Sequence, residues 1–105
     1  MIRFVEVINE TNFNPRMERT SIPRFSISEV WINEKYVVNV RSAPEYKKML
    51  HEGRIELDLS DQHEFAVITT NEGDSSRTHV VVGEVSHIAR RLAAPEERRR
   101  QLLKG

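Results

Sequence analysis

The sequence contains no cysteine, only four glycines and one tryptophan, and its sixteen basic side chains cancel its sixteen acidic ones. Without a thiol there is no disulfide scaffold, no thiolate metal site and no cysteine nucleophile. Single glycines at 53, 73, 83 and 105 leave no GxGxxG or GxxxxGK[ST] loop to cradle a phosphate. No apolar run approaches the roughly 18 residues of a membrane span. Met1–Ile8 is apolar but broken by Arg3 and Glu6, which is not the pattern of a signal peptide. These absences lead us to expect a soluble, cytoplasmic domain. Hydrophobic residues make up 38% of the 105-residue chain, so the core is modest and there is little apolar surface to spare.

What is present reads as strands first and a helix last. Ile2–Ile8 (IRFVEVI) is β-branched and aromatic and too short for a helix. Ile2, Phe4 and Ile8 share one parity and Val5 and Val7 the other, which suits an interior strand or one met by a partner chain. Asn9–Arg24 carries three Asn and two Pro with no period, and reads as a mobile loop. Phe25–Ile32 (FSISEVWI) switches its apolar parity near Glu29, which suggests a bulge. After the polar break Asn33–Lys35, Tyr36–Arg41 (YVVNVR) resumes as a strand, so a hairpin is expected here. Ser42 and Glu45 have capping-box spacing, Pro44 fits a first turn, and Tyr46, Met49 and Leu50 form a stripe ending at Gly53. Arg54–Leu59 alternates as a half-buried extended segment. Phe65–Thr70 and Thr78–Val82 are the clearest strands, joined by a polar link containing Gly73. Val85, Ile88, Ala89 and Leu92 follow the i, i+3, i+4, i+7 pattern of an amphipathic helix.

The expected fold is α+β: a mostly antiparallel sheet of five or six strands, one short inserted helix and a C-terminal amphipathic helix. Residues 1–94 form the single domain, and residues 95–105 form a basic helical tail.

Neutrality hides an asymmetry. Residues 1–89 carry 10 Lys+Arg against 14 Asp+Glu, whereas residues 90–105 carry 6 against 2. Arg90, Arg91, Arg98, Arg99 and Arg100 could therefore hold nucleic acid. The plainer reading is a solvated helix that complements an acidic body, since no aromatic residue accompanies the charge to stack on bases.

Reactive constellations are weak. His51, His63, His79 and His87 include no HExxH and no i, i+4 pair. A metal site would have to assemble His79 and His87 with Asp61, His63 or Glu64 from afar. Ser75, Ser76 and His79 are close in sequence, but no GxSxG elbow supports a nucleophile, and a polar hairpin loop accounts for both serines. Trp31, flanked by Val30 and Ile32, is ordinarily a core residue; the alternative is an anchor in a partner interface.

Glu29–Leu92 also has a recognisable layout. A strand ending in Trp31-Ile32-Asn33 leads into YVVNV, ITTNEG makes a turn, and HVVVGEVSHIARRL runs a strand into a helix. This layout resembles the small FlbD-like proteins encoded among flagellar genes. The matching positions are Asn33, Val38, Val40, Thr69, Gly73, Val80, Val82 and Ile88. This chain departs from the pattern by inserting Ser42–Glu64 and by adding the Asn9–Arg24 loop and the basic tail. The resemblance implies a small accessory or regulatory protein rather than an enzyme, and it brings no catalytic residues.

Together these readings predict a non-enzymatic interaction or regulatory protein that needs no cofactor and acts through sheet-mediated self-association, as a homodimer, or by binding a protein partner. The strands are greasy on two sides, and two short helices cannot cover both faces of the sheet. The expected interface residues are Phe4, Trp31, Tyr36, Leu102 and Leu103. The alternative is a nucleic-acid-binding regulator using the arginine tail. A membrane is not an expected partner.

Overall fold

The computed structural model describes residues 1–10 and 22–93. The expected tail 95–105, with Arg98, Arg99, Arg100, Leu102 and Leu103, and most of the loop 9–24 lie outside the described residues.

Five strands form one antiparallel sheet, β1 (Ile2–Asn9), β2 (Phe25–Ile32), β3 (Val37–Ser42), β4 (Phe65–Glu72) and β5 (Ser75–Val82), in the order β2-β1-β5-β4-β3. Helix α1 (Pro44–His51) is inserted between β3 and β4, and a second helix, α2, is described over 85–93. The α+β architecture read from the sequence is the one observed. None of the described helices is long and apolar enough to cross a membrane.

β1 lies inside the sheet, as its two apolar faces require. β4 and β5 form the tight hairpin, closing Glu72 against Ser75 around Gly73, whose φ of 64° supplies the left-handed turn residue. β2 and β3 do not form a hairpin. β2 pairs with β1, β3 pairs with β4, and the two run in the same direction on opposite edges of the sheet. The polar break between them is a 3-10 turn (Glu34–Tyr36) capped by the Asn33 side chain, which accepts from the Lys35 N–H. Tyr36 thus belongs to this turn and not to a strand face.

That short connector shapes the sheet. Ile32 lies four residues below the Glu6–Val81–Ala66 row and Val37 four residues above it, on the far edge. In a flat sheet these positions would be roughly 26 Å apart along the strands and about 19 Å across them. The chain between them spans at most about 17 Å. The sheet must therefore curl until its edges approach at these ends. Accordingly Ile32, Val30, Val37 and Val40 pack on one cluster with Phe4, Ala66, Ile68 and Val81.

This inner face is closed by α2, through Ile88 and the flanking Val85 and Leu92. The outer face packs Val7, Phe65 and Val67 against Ala43, Leu57, and α1 residues Tyr46 and Leu50. Tyr46 sits edge-on to Phe25 with ring centroids 6.1 Å apart. Helices and the 55–59 segment therefore cover more of both faces than the sequence suggests.

Two further local expectations are corrected by the structure. The helix N-cap is Ala43, without a side-chain hydrogen bond, because Ser42 is the last residue of β3. β2 pairs with β1 in unbroken register, so there is no bulge at Glu29. Its parity switch instead reflects Phe25 packing on the outer face and Val30 and Ile32 on the inner one. The irregularity falls in β3, between Val37 and Asn39, and leaves Val38 64% exposed. At the far end of α1 the expectation holds. Gly53, at φ 71°, gives its N–H to Leu50 O while Arg54 N–H bonds Met49 O, the paired bonds of a Schellman cap.

Candidate functional site

The cover on the outer face is incomplete. The α1 and 55–59 layer reaches Phe25 and Val7 and leaves a corner of β1 and β2 open. There Val5, Ile27 and Trp31 are 37%, 44% and 56% exposed. They share a face because they share parity: Arg3 pairs with Trp31, Val5 with Glu29 and Val7 with Ile27. Arg3, Val5, Ile27, Ser28 and Glu29 line a shallow groove of about 170 Å³. Its polar members are tied together. The Trp31 indole Nε1–H donates to Glu29 Oε1 at 2.8 Å, and Arg3 Nη1 lies 3.6 Å from Glu29 Oε2. The result is an apolar strip with a neutral, paired rim, lying beside the outer edge of β2.

The expected interface residues separate. Trp31 lies on this strip rather than in the core. Tyr36 is 42% exposed but belongs to the opposite edge's turn. Phe4 is 2% exposed, so its ring is not available to any partner. It sits on the inner face, and the Arg91 guanidinium lies 4.6 Å over the ring centroid. Sequence reasoning misses Val5, Ile27, Arg3 and Glu29. Their shared odd parity with Trp31 is the signal that could have found them.

The arginine reading also changes. Besides sealing Phe4, Arg91 donates from Nη2 to the Arg3 carbonyl at 2.6 Å. β5 stops at Val82, so this bond caps β1 where no strand continues the ladder. Arg91 is therefore part of the fold, while Arg90 is exposed on α2.

The histidines and acids considered for chemistry are paired separately. His79 Nδ1 lies 2.5 Å from Glu6 Oε2 on the inner face, half-buried. His51 Nδ1 meets Asp61 Oδ2 at 2.8 Å, and Lys47 Nζ meets Glu64 Oε1 at 2.6 Å. The His51 hydrogen bond holds the Asp61 carboxyl below the usual aspartate range. A groove of about 400 Å³ is lined by Lys47, Lys48, His51 and Asp61, of which His51 is tied to Asp61 and Lys47 to Glu64 beside it. His63, His87, Ser75 and Ser76 are exposed. Among the described residues no three His, Asp or Glu side chains come together in a way that could hold a metal ion.

Comparison with known proteins returns no matching family model, no matching curated protein and no matching solved structure.

Proposed function

We propose that this is a non-enzymatic interaction protein of the cytoplasm, of the accessory or regulatory kind, that works by sheet-mediated self-association through the Val5–Ile27–Trp31 strip. The observation that carries the reading is the clustering of these three large apolar side chains on one corner, uncovered by any described element. A lone exposed apolar residue needs no explanation, but a contiguous patch beside a free strand is the usual mark of a docking surface. The tryptophan suits an anchor, being a large, rigid side chain of the kind that dominates interface energetics. The non-catalytic part is supported by the His and carboxylate pairs, which are tied up one to one rather than converging on a cleft.

Sedimentation equilibrium of the full chain tests this. The wild type should populate a dimer as concentration rises, and the I27K/W31K pair should remain monomeric with unchanged secondary structure. A wild-type protein that is monomeric at the highest attainable concentration would refute the reading.

A further inference from the structure

The bare edge of β2 carries more information than the side chains beside it. Backbone groups of successive residues in an antiparallel strand point alternately to either side. The Arg24 carbonyl accepts from Glu10 N–H on the β1 side, while Phe25 N–H donates the other way, to Glu56 O at 2.7 Å. Glu56 N–H likewise reaches Pro23 O at 2.8 Å. Odd-numbered residues therefore direct their N–H and C=O away from β1. Glu56 takes the Pro23 carbonyl and the Phe25 N–H, and beyond it the outward groups of Ile27, Glu29 and Trp31 meet no described strand.

The other edge is defended. β3 is six residues long, is interrupted at Val38 and begins at a 3-10 turn. β2 has eight residues in regular register, without proline, lysine or a bulge. An edge without those devices is a template for another strand.

We propose that the occupant is the β2 of a second copy, paired antiparallel about a two-fold axis at Glu29; this rests on the self-association reading above. The free outward residues are symmetric about position 29, so Ile27 pairs with Trp31 of the second copy, Glu29 with its own counterpart, and Trp31 with Ile27. All three are hydrogen-bonded pairs in this register, which gives about six backbone bonds. A shift by two residues would place Trp31 opposite Phe25, whose N–H is already used by Glu56, so that both end pairs would be incomplete and would abut the 54–59 segment. The charges agree with the same register. The two Glu29 carboxylates meet at the axis, but each brings the Arg3 guanidinium that already neighbours it, so two acids are bracketed by two bases. Each copy has one undefended edge, and the two-fold consumes both, which closes the assembly at a dimer. The Val5–Ile27–Trp31 strips then become one continuous surface across the joint sheet.

Three measurements on the full chain decide it. Amide exchange followed by NMR should show protection of Ile27, Glu29 and Trp31 that rises with protein concentration, with no such change along the outer edge of β3. In a chain without cysteine, E29C should oxidise to a disulfide-linked dimer far more readily than V38C, because paired Cα atoms about 5.5 Å apart lie within bridging range. E29P removes the outward N–H, which an edge strand tolerates, and with it the carboxylate shared by Trp31 and Arg3. It should weaken the dimer by at least roughly ten-fold, and by more than E29Q, which keeps the N–H, while the β1–β2 amides stay protected. A dimer whose amides at 27, 29 and 31 exchange as in the monomer, or in which E29C and V38C cross-link alike, overturns this pairing and leaves self-association standing. A protein that stays monomeric throughout overturns both. If E29P fails to fold, the wild-type exchange pattern alone decides between these outcomes.

Discussion

Arg91 shows how one residue can look like a ligand in sequence and be a structural part in space. Its position in an arginine-rich stretch suggests an anionic partner, yet its guanidinium covers Phe4 and caps the Arg3 carbonyl. A cation over an aromatic ring and a charge-assisted hydrogen bond together contribute about 1–3 kcal/mol. R91A should destabilise the fold by that order in urea titration, and R90A, with its exposed side chain, should change stability by less than about 0.5 kcal/mol. Asp61 gives a second residue-scale outcome. Its carboxyl is held below the usual aspartate range by the His51 hydrogen bond. Its folded-state pKa lies below the unfolded one, so its stabilisation is fully present above the ordinary aspartate pKa. That stabilisation is lost as pH falls through the lowered value. Acid titration of D61N should show a shallower loss of stability across that window than the wild type. None of these contacts is legible in the sequence, because Arg3 and Arg91, or His51 and Asp61, are brought together by the fold and not by spacing.

At the scale of elements, periodicity is a sound guide where one face or one stripe is buried. β4 and β5, the Val85–Leu92 stripe, the Ile55–Leu57–Leu59 alternation and the Gly53 cap all follow from it. It misleads in β2 and β3. A strand that packs outward at Phe25 and inward at Ile32 mimics a bulge in its pattern. A three-residue polar break mimics a hairpin when it is a 3-10 turn that carries the chain from one edge of a curled sheet to the other. Pairing partners are long-range facts, and no local pattern in β2 says that it joins β1 and not β3. The junction between β5 and α2 has a sharper requirement. Gly83 adopts φ 142°, and a Cβ there would stand 3.0 Å from Ile88 Cδ1, whose side chain is packed in the core. G83A should therefore cost about 1–3 kcal/mol, from backbone strain and overpacking together, measured as a lowered urea midpoint with unchanged slope.

For the whole molecule, function turns on how a short chain distributes a limited apolar supply. Among the described residues, α2 inside and α1 with 55–59 outside cover much of both faces of the curled five-stranded sheet and leave the Val5–Ile27–Trp31 corner open. That corner adjoins the longer edge strand, β2, which carries no proline, lysine or bulge. The candidate surface is partly legible in the sequence. Trp31 stands out as an anchor, but Phe4 stands out equally, because strand parity does not reveal which end of a face a helix will reach. Val5 and Ile27 do not stand out, because neither is unusual alone. Trp31 is the only tryptophan in the chain, so its intrinsic fluorescence reports on this corner alone. The decisive measurement is iodide quenching of that fluorescence as a function of protein concentration. Pairing through β2 predicts strong quenching in dilute solution, where residue 31 meets solvent, and weaker quenching with a blue-shifted emission as the dimer sets Trp31 beside Ile27 of the second copy. Emission and quenching that stay those of an exposed indole at every concentration would contradict it.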